Sequence, residues 1–238
     1  MSDVKKHTFV LIAGAWHGGW VWRDVVERLR QQGHTVSAPT LTGLGERRHN
    51  ATPDTNLSTH IDDVLAHIDM EGLENITLVG WSYGGMVITG VAGRIPSKIS
   101  SLIYLDAIFP ESGKSMMDYL PETSRERLEP LLAENQAFPA FPMEKFGITD
   151  AVLADFITPR LTLQPVHTFF EPVHFTQLPD VTIGYVYCTG YGESTTFTET
   201  YHRLKDDARI RMETLDTHHM MMLSEPQKTT ELLLAMAR

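Results

Sequence analysis

Ten residues, Ile76-Thr77-Leu78-Val79-Gly80-Trp81-Ser82-Tyr83-Gly84-Gly85, constrain this chain more than any other stretch. A short apolar run rich in β-branched residues ends at a serine bracketed by small residues. A Gly-containing, mostly apolar helical segment, Met86 to Arg94, follows at once. Gly80-x-Ser82-x-Gly84 between a strand and a helix is the nucleophile-elbow pattern, in which the serine sits on a sharp turn and the flanking glycines let strand and helix pass closely. A bare G-x-S-x-G also arises in ordinary Gly-rich turns, so its meaning depends on what surrounds it.

The surroundings alternate. Phe9 to Ile12 reads as a buried strand, followed by the loop Ala13 to Gly19. Trp22, Val25, Val26 and Leu29 then follow helical spacing as far as Gly33. His34 to Ala38 is a second strand. Thr40 to Asn56 lacks apolar periodicity and reads as a loop. Leu57, Ile61, Val64, Leu65 and Ile68 share one helical face, with Asp62 and Asp63 directed away from it. Ile76 to Val79 is the third strand and Ser101 to Leu105 the fourth, ending at Asp106. Strand alternating with helix over this length implies a parallel sheet with helical crossovers.

The alternation lapses between Pro110 and Pro179, where prolines, one mixed helical stretch (Arg125 to Glu134) and seven phenylalanines gather. This segment reads as an inserted cap over the carboxyl edge of the sheet. Val181 to Cys188, Phe197 to Leu204 and Ile210 to Leu215 then resume the pattern. Ser224 and Gln227 are placed as N-cap and capping-box residues of a terminal helix. One domain is expected, with a core of about 1–110 and 180–238 and a cap of about 111–179.

Composition narrows the classes of partner. Lys and Arg number 20 against 30 Asp and Glu, a formal charge of −10, which argues against a nucleic-acid surface or a polybasic membrane patch. Cys188 is the sole cysteine, so no intrachain disulfide is available, and the run Phe9 to Ala13 is too short to span a membrane. The expected setting is cytoplasmic. His167 and His174 lack the spacing of a metal site, Thr42-Gly43-Leu44-Gly45 is no dinucleotide fingerprint, and no phosphate loop occurs. No metal and no cofactor are expected.

Ligands of open parallel sheets bind beyond the carboxyl ends of the strands. The loops there hold Ala15 with His17, Ser82, Asp106, Glu193 and the pair His218-His219. Serine, then acid, then histidine is an order in which a histidine takes the serine proton and an acid orients the histidine.

Three segments carry a resemblance. Ala13-Gly14-Ala15-Trp16-His17-Gly18-Gly19-Trp20-Val21-Trp22 resembles the H-G-A-x-H-G-G-W-x-W motif of the plant methyl-salicylate esterase and hydroxynitrile lyase family. Gly80-Trp81-Ser82-Tyr83-Gly84-Gly85-Met86 resembles its G-H-S-x-G-G-M, and His219-Met220-Met221-Met222-Leu223-Ser224-Glu225-Pro226 its H-M-x-M-L-x-E-P. Tyr104-Leu105-Asp106-Ala107 is similar to the Y-L-D-A of bacterial esterases and carbamate hydrolases of the same superfamily. The resemblance implies an α/β-hydrolase fold: a mostly parallel central sheet flanked by helices, with a helical cap inserted after the strand ending at Asp106.

By position, the resemblance implies Ser82 as nucleophile and His219 as base, with His218 the rival base. The backbone N–H groups of Ala15 and Tyr83 would form the oxyanion hole. The family's acid follows the penultimate strand in a C-T-x-D pattern, but Cys188-Thr189-Gly190-Tyr191 puts tyrosine there. Asp106 is the preferred acid and Glu193 the alternative. Trp16, His17, Trp81 and Met220 are the substrate-contact candidates; Tyr83 and the Met220–Met222 cluster have packing as their plainer reading. The implied activity is hydrolysis of a small to medium carboxyl ester. Carbamate or amide hydrolysis, a hydroxynitrile-lyase-like reaction, and a non-catalytic small-molecule receptor are the alternatives. Apolar cap residues suit a homodimer surface as well as a pocket lid.

Overall fold

The structure, a computed structural model, describes residues 5–192 and 195–237. Six parallel strands form one sheet in the order β2-β1-β3-β4-β5-β6: β1 Thr8–Ile12, β2 Thr35–Ser37, β3 Ile76–Trp81, β4 Ile99–Leu105, β5 Thr182–Cys188 and β6 Ile210–Leu215. Their apolar runs are continuous because both faces of the sheet are covered. Val10, Ile12, Leu78, Leu102, Tyr104 and Tyr185 face one layer, and Phe9, Leu11, Val79, Trp81, Ile103, Leu105 and Val186 face the other.

Helices α2 (Leu57–Met70) and α3 (Gly84–Arg94) cover the first face with Ile61, Val64, Val87 and Val91. Helices α1 (Arg23–Gln31) and α9 (Pro226–Met236) cover the second with Val25, Leu29, Leu233 and Met236. The stripe on α2 is the one its periodicity predicts. The outward placement of Asp63 is not: its carboxylate accepts from the N–H and hydroxyl of Thr42 and pairs with Arg47, tying the loop after β2 to the helix. Asn56, whose side chain accepts from the Thr59 N–H, caps α2 in a reciprocal box.

Ser224 does not cap α9. It ends a separate short helix, α8 (Met221–Ser224), and its hydroxyl bonds with that of Thr217. Glu225 precedes α9 instead, with no side-chain cap, and Pro226 fills the first turn.

Between β4 and β5 the chain makes a long excursion holding α4 (Glu122–Ala133), α5 (Ala151–Ile157) and α6 (His167–Phe170). Its aromatics converge on one residue of the β1 loop. Phe138, Phe141, Phe146 and Phe169 place their rings 5.4–6.1 Å from that of Trp16. Phe156 lies between the guanidinium groups of Arg23 and Arg160, at 4.6 and 4.0 Å, and edge-on to Trp20. The excursion is thereby bonded to the core at two separate places. Among the described residues no helix is long and apolar enough to cross a membrane.

The register sets where loops emerge. Trp81 pairs with Leu105 and Leu105 with Val186, so Ser82 and Asp106 leave adjacent strands at one level. The start of α3 is pressed against these exits: a Cβ on Gly85 would lie 2.0 Å from the Ile108 carbonyl oxygen, and one on Gly84 2.8 Å from that of Ile12. Backbone cannot yield as a flexible side chain can. Replacing Gly85 with alanine is therefore expected to cost about 1–3 kcal/mol of stability, read as a lowered midpoint in urea. An unchanged midpoint would contradict this packing.

Candidate active site

Among the described residues five non-glycine positions have positive φ: Trp16, Asn75, Ser82, Asp106 and Asn135. Asparagine and aspartate visit this region more readily than other non-glycine residues, which are disfavoured there by about 1–2 kcal/mol. The three that are not asparagine, Trp16 (φ +65°), Ser82 (φ +57°) and Asp106 (φ +42°), all lie just beyond the carboxyl ends of neighbouring strands β1, β3 and β4. Ser82 sits on the sharp turn into α3, as the elbow pattern predicts. A Cβ on Gly80 would come within 2.6 Å of the Gly84 carbonyl oxygen, so a larger residue at 80 would collide with the first turn of α3.

Asp106 is fully buried and accepts three hydrogen bonds. Its Oδ1 takes the Cys188 N–H at 3.2 Å, and its Oδ2 takes both His219 Nδ1–H at 2.7 Å and the Tyr191 hydroxyl at 2.6 Å. The carboxylate oxygen can only accept from the imidazole, so Nδ1 carries the proton and Nε2 presents its lone pair. His219 Nε2 is buried and has no hydrogen-bond partner among the described residues.

The ring of His219 is held from several sides. It stacks on Phe197 of α7 (Thr195–Leu204) at 4.6 Å and 24°, and on Phe146 at 5.7 Å and 15°. Its backbone N–H donates to the Phe146 carbonyl and its own carbonyl accepts from Trp81 Nε1 at 2.9 Å. His218 is turned away from Asp106: its Nδ1 accepts from the Met220 N–H, and burial pulls its pKa down. Glu193, the alternative acid, lies outside the described residues.

Tyr191 is the residue the motif comparison underrated. It stands where the C-T-x-D pattern has its aspartate, and it donates a hydrogen bond to Asp106. Burial, and then the charge of Asp106, raise its pKa far above the ordinary phenol value, so it remains an O–H donor.

A cavity of about 510 Å³ opens on Ser82 and His219. Ala15, Trp16, Phe146, Phe169, Tyr191 and Phe197 line it, and the Asp, Glu, Lys or Arg side chains lining it among the described residues, Glu144 and Lys145, are exposed. Trp16 is thus at the cavity, but His17, Trp81 and Met220 are not. Trp81 points into the opposite layer, edge-on to the His17 ring and beneath His219. Met220, Met221 and Met222 are fully buried in that same layer as packing. Tyr83 packs beneath the excursion, stacked on Phe169 at 5.6 Å, and its hydroxyl donates to His60 Nδ1.

The N–H groups of Ala15 and Tyr83 have no acceptor among the described residues. Both residues adjoin the Ser82 side of the cavity, one through its loop and the other through the chain. No group of three or more His, Cys, Asp or Glu able to hold a metal occurs among the described residues.

The chain belongs to the alpha/beta hydrolase family, whose model matches residues 9–232. It is 57% identical over 114 residues to the carbendazim hydrolyzing esterase of Nocardioides sp., an alignment covering 48% of this chain and 47% of that protein. The chain therefore spans about half the length of this relative. Methylesterase 2 of Arabidopsis thaliana is 25% identical over 266 residues, covering 100% of this chain and 98% of that one. An extracellular alpha/beta-hydrolase from a Paenibacillus species, described as sharing structural and functional homology with tobacco salicylic acid binding protein 2, superposes with a TM-score of 0.83. It is 25% identical and covers 98% of this chain and 99% of its own.

Two buried histidines give the fold a pH signature. His17 donates Nδ1–H to the Ala15 carbonyl at 2.6 Å, and His60 donates Nε2–H to the Thr42 carbonyl at 2.8 Å. Burial outweighs those bonds and lowers both pKa values to about 4. Above about pH 6.5 neither the folded nor the unfolded chain protonates these rings. As pH falls from there towards 4, the unfolded chain gains protons that the folded one refuses, and stability drops. Urea midpoints measured across this window should decline, and His60→Gln should make the decline shallower. Identical slopes would contradict the burial argument.

Proposed function

We propose that this protein is a serine hydrolase of small to medium carboxyl esters, with Ser82 as nucleophile, His219 as base and Asp106 as the acid. The observation that carries the reading is the 2.7 Å bond from His219 Nδ1–H to buried Asp106, with the bare Nε2 of the same ring at the cavity that Ser82 lines. A serine hydroxyl needs such a base, and the base needs an acid to hold its tautomer and stabilise its cation.

In the reaction, Ser82 Oγ attacks the ester carbonyl carbon while His219 Nε2 takes its proton. The developing oxyanion is received by the N–H groups of Ala15 and Tyr83, whose lack of other acceptors leaves them available. The tetrahedral species collapses, His219 returns the proton to the departing alcohol, and an acyl-enzyme remains. Water, deprotonated by the same nitrogen, attacks the acyl carbon; the bond to Ser82 Oγ then breaks, His219 returns the proton to that oxygen, and the acid leaves.

Residues of about 111–179 act in this reading as a cap over a core of about 1–110 and 180–238. Cap aromatics line the cavity with Trp16, which suits an apolar acyl or aryl group. The lone buried Cys188 is compatible with a cytosolic setting. Hydrolysis of carbendazim, the compound in the Nocardioides relative's name, is a second activity to test, favoured by the 57% identity. The same serine and histidine would serve it.

Ser82→Ala is expected to lower kcat on p-nitrophenyl esters by about 10⁴-fold or more, and Asp106→Asn by about 10³–10⁴-fold. Full activity in either variant would overturn these roles. Tyr191→Phe removes one of the donors to Asp106 and should lower kcat by about tenfold with little change in KM. A rise in KM alone would mean that Tyr191 acts on substrate binding instead.

A further inference from the structure

The loop after β1 holds a strained backbone at a residue that neither attacks the substrate nor moves a proton. Trp16 holds a left-handed backbone at φ +65° although it is large and nearly fully buried. Such a residue stays there only when its surroundings over-determine it. Its surroundings come from the cap. The Trp16 N–H donates to Gln164 Oε1 at 2.9 Å, its carbonyl accepts from the Thr162 N–H and hydroxyl at 3.0 and 3.2 Å, and its indole N–H donates to the Phe138 carbonyl at 3.2 Å.

Gln164 is itself fully buried, where an amide without partners would be costly. Its side chain is satisfied at both ends, because Nε2 donates to Thr168 Oγ1 at 2.7 Å. Its backbone exchanges two hydrogen bonds with Phe138, at 2.8 and 2.9 Å. Thr168 belongs to α6, whose next residue, Phe169, packs on both Trp16 and Tyr83. One cap segment thus touches Trp16, next to one proposed oxyanion donor, and Tyr83, which carries the other.

The Ala15–Trp16 peptide is gripped at each end. His17 Nδ1–H holds the Ala15 carbonyl and Gln164 Oε1 holds the Trp16 N–H. Half a turn of that peptide would exchange its N–H and C=O and reverse the dipole beside the Ala15 N–H. Preorganised donors stabilise an oxyanion because they need no reorientation during the reaction. The grip on this peptide supplies that preorganisation.

We propose that Gln164 is a positioning residue that assembles the oxyanion hole, so that docking of the cap on the β1 loop makes the site competent. This rests on the hydrolase reading above. Gln164→Met keeps the length of the side chain and removes the acceptor for the Trp16 N–H. Thr168→Val removes the hydroxyl that orients the Gln164 amide and is nearly isosteric, so it stays informative should the first variant fold poorly.

The test measures kcat and KM on p-nitrophenyl acetate. It also measures the affinity for an aryl trifluoromethyl ketone, whose reversible adduct on Ser82 places an oxyanion in the hole. Gln164→Met is expected to lower kcat and trifluoromethyl-ketone affinity together by about 10–100-fold, with KM within about threefold of wild type. Thr168→Val is expected to lower both by about 3–10-fold. A purely structural role would not move transition-state-analogue affinity in step with kcat. Folded Gln164→Met with kcat within threefold of wild type, or Thr168→Val with both quantities unchanged, would overturn the inference. If Ser82→Ala abolishes turnover in the same assay while the Gln164 and Thr168 variants match wild type, this inference falls and the hydrolase reading stands.

Discussion

A carboxylate sealed from water has to be supplied with donors, and Asp106 is the group around which this chain arranges them. It is fully buried, with a main-chain N–H from the end of β5, a phenol from the loop beyond it, and an imidazole from the loop after β6. Removing water from a lone carboxylate costs many times the net value of one hydrogen bond, so a buried carboxylate needs several converging donors. Those donors come from positions 82 to 113 residues away in sequence. The buried charge therefore acts as a clasp between the two halves of the sheet.

The clasp makes sense of the strain beside it. Ser82 and Asp106 leave adjacent strands at one level, and both turn through the left-handed region immediately afterwards. That turn aims their side chains out of the sheet rather than along it. Close approach of α3 at Gly80, Gly84 and Gly85 leaves the backbone no room to relax. Packing energy from two apolar layers holds a few kcal/mol of local strain at the place where chemistry is proposed. The same logic extends to Trp16, where cap residues supply the restraint.

Local signals in the sequence carried some of this and not the rest. Strand–serine–helix spacing marks Ser82 as a candidate nucleophile, and three ordered motifs mark His219 as a candidate base, because those features depend on residues adjacent in the chain. The contact between Asp106 and His219 is not local: it joins residues 113 positions apart and depends on how β4, β5 and β6 are aligned. The tyrosine at position 191 read as a missing acid, and only a three-dimensional contact turns it into a donor to Asp106. His17, Trp81 and Met220 were placed at the substrate by their neighbourhood in the motifs. Alternation along β3 sends Trp81 to the opposite layer, His17 turns back onto its own loop, and the methionines fill the core. Gln164 carried no signal at all, since nothing in its own segment marks a glutamine that will be buried against Trp16. Ser224 resembled a cap because the break between α8 and α9 is a backbone feature that composition does not encode.

The central claim is that the bonded pair of Asp106 and His219 drives Ser82 through a covalent acyl intermediate. Acid-quenching the protein during turnover of p-nitrophenyl acetate and mapping the peptides by mass spectrometry tests it most directly. One acetyl increment is expected, on the peptide holding Ser82, and none when Asp106 is replaced by asparagine. Sustained turnover with no increment on that peptide, or with the increment on another residue, would contradict it.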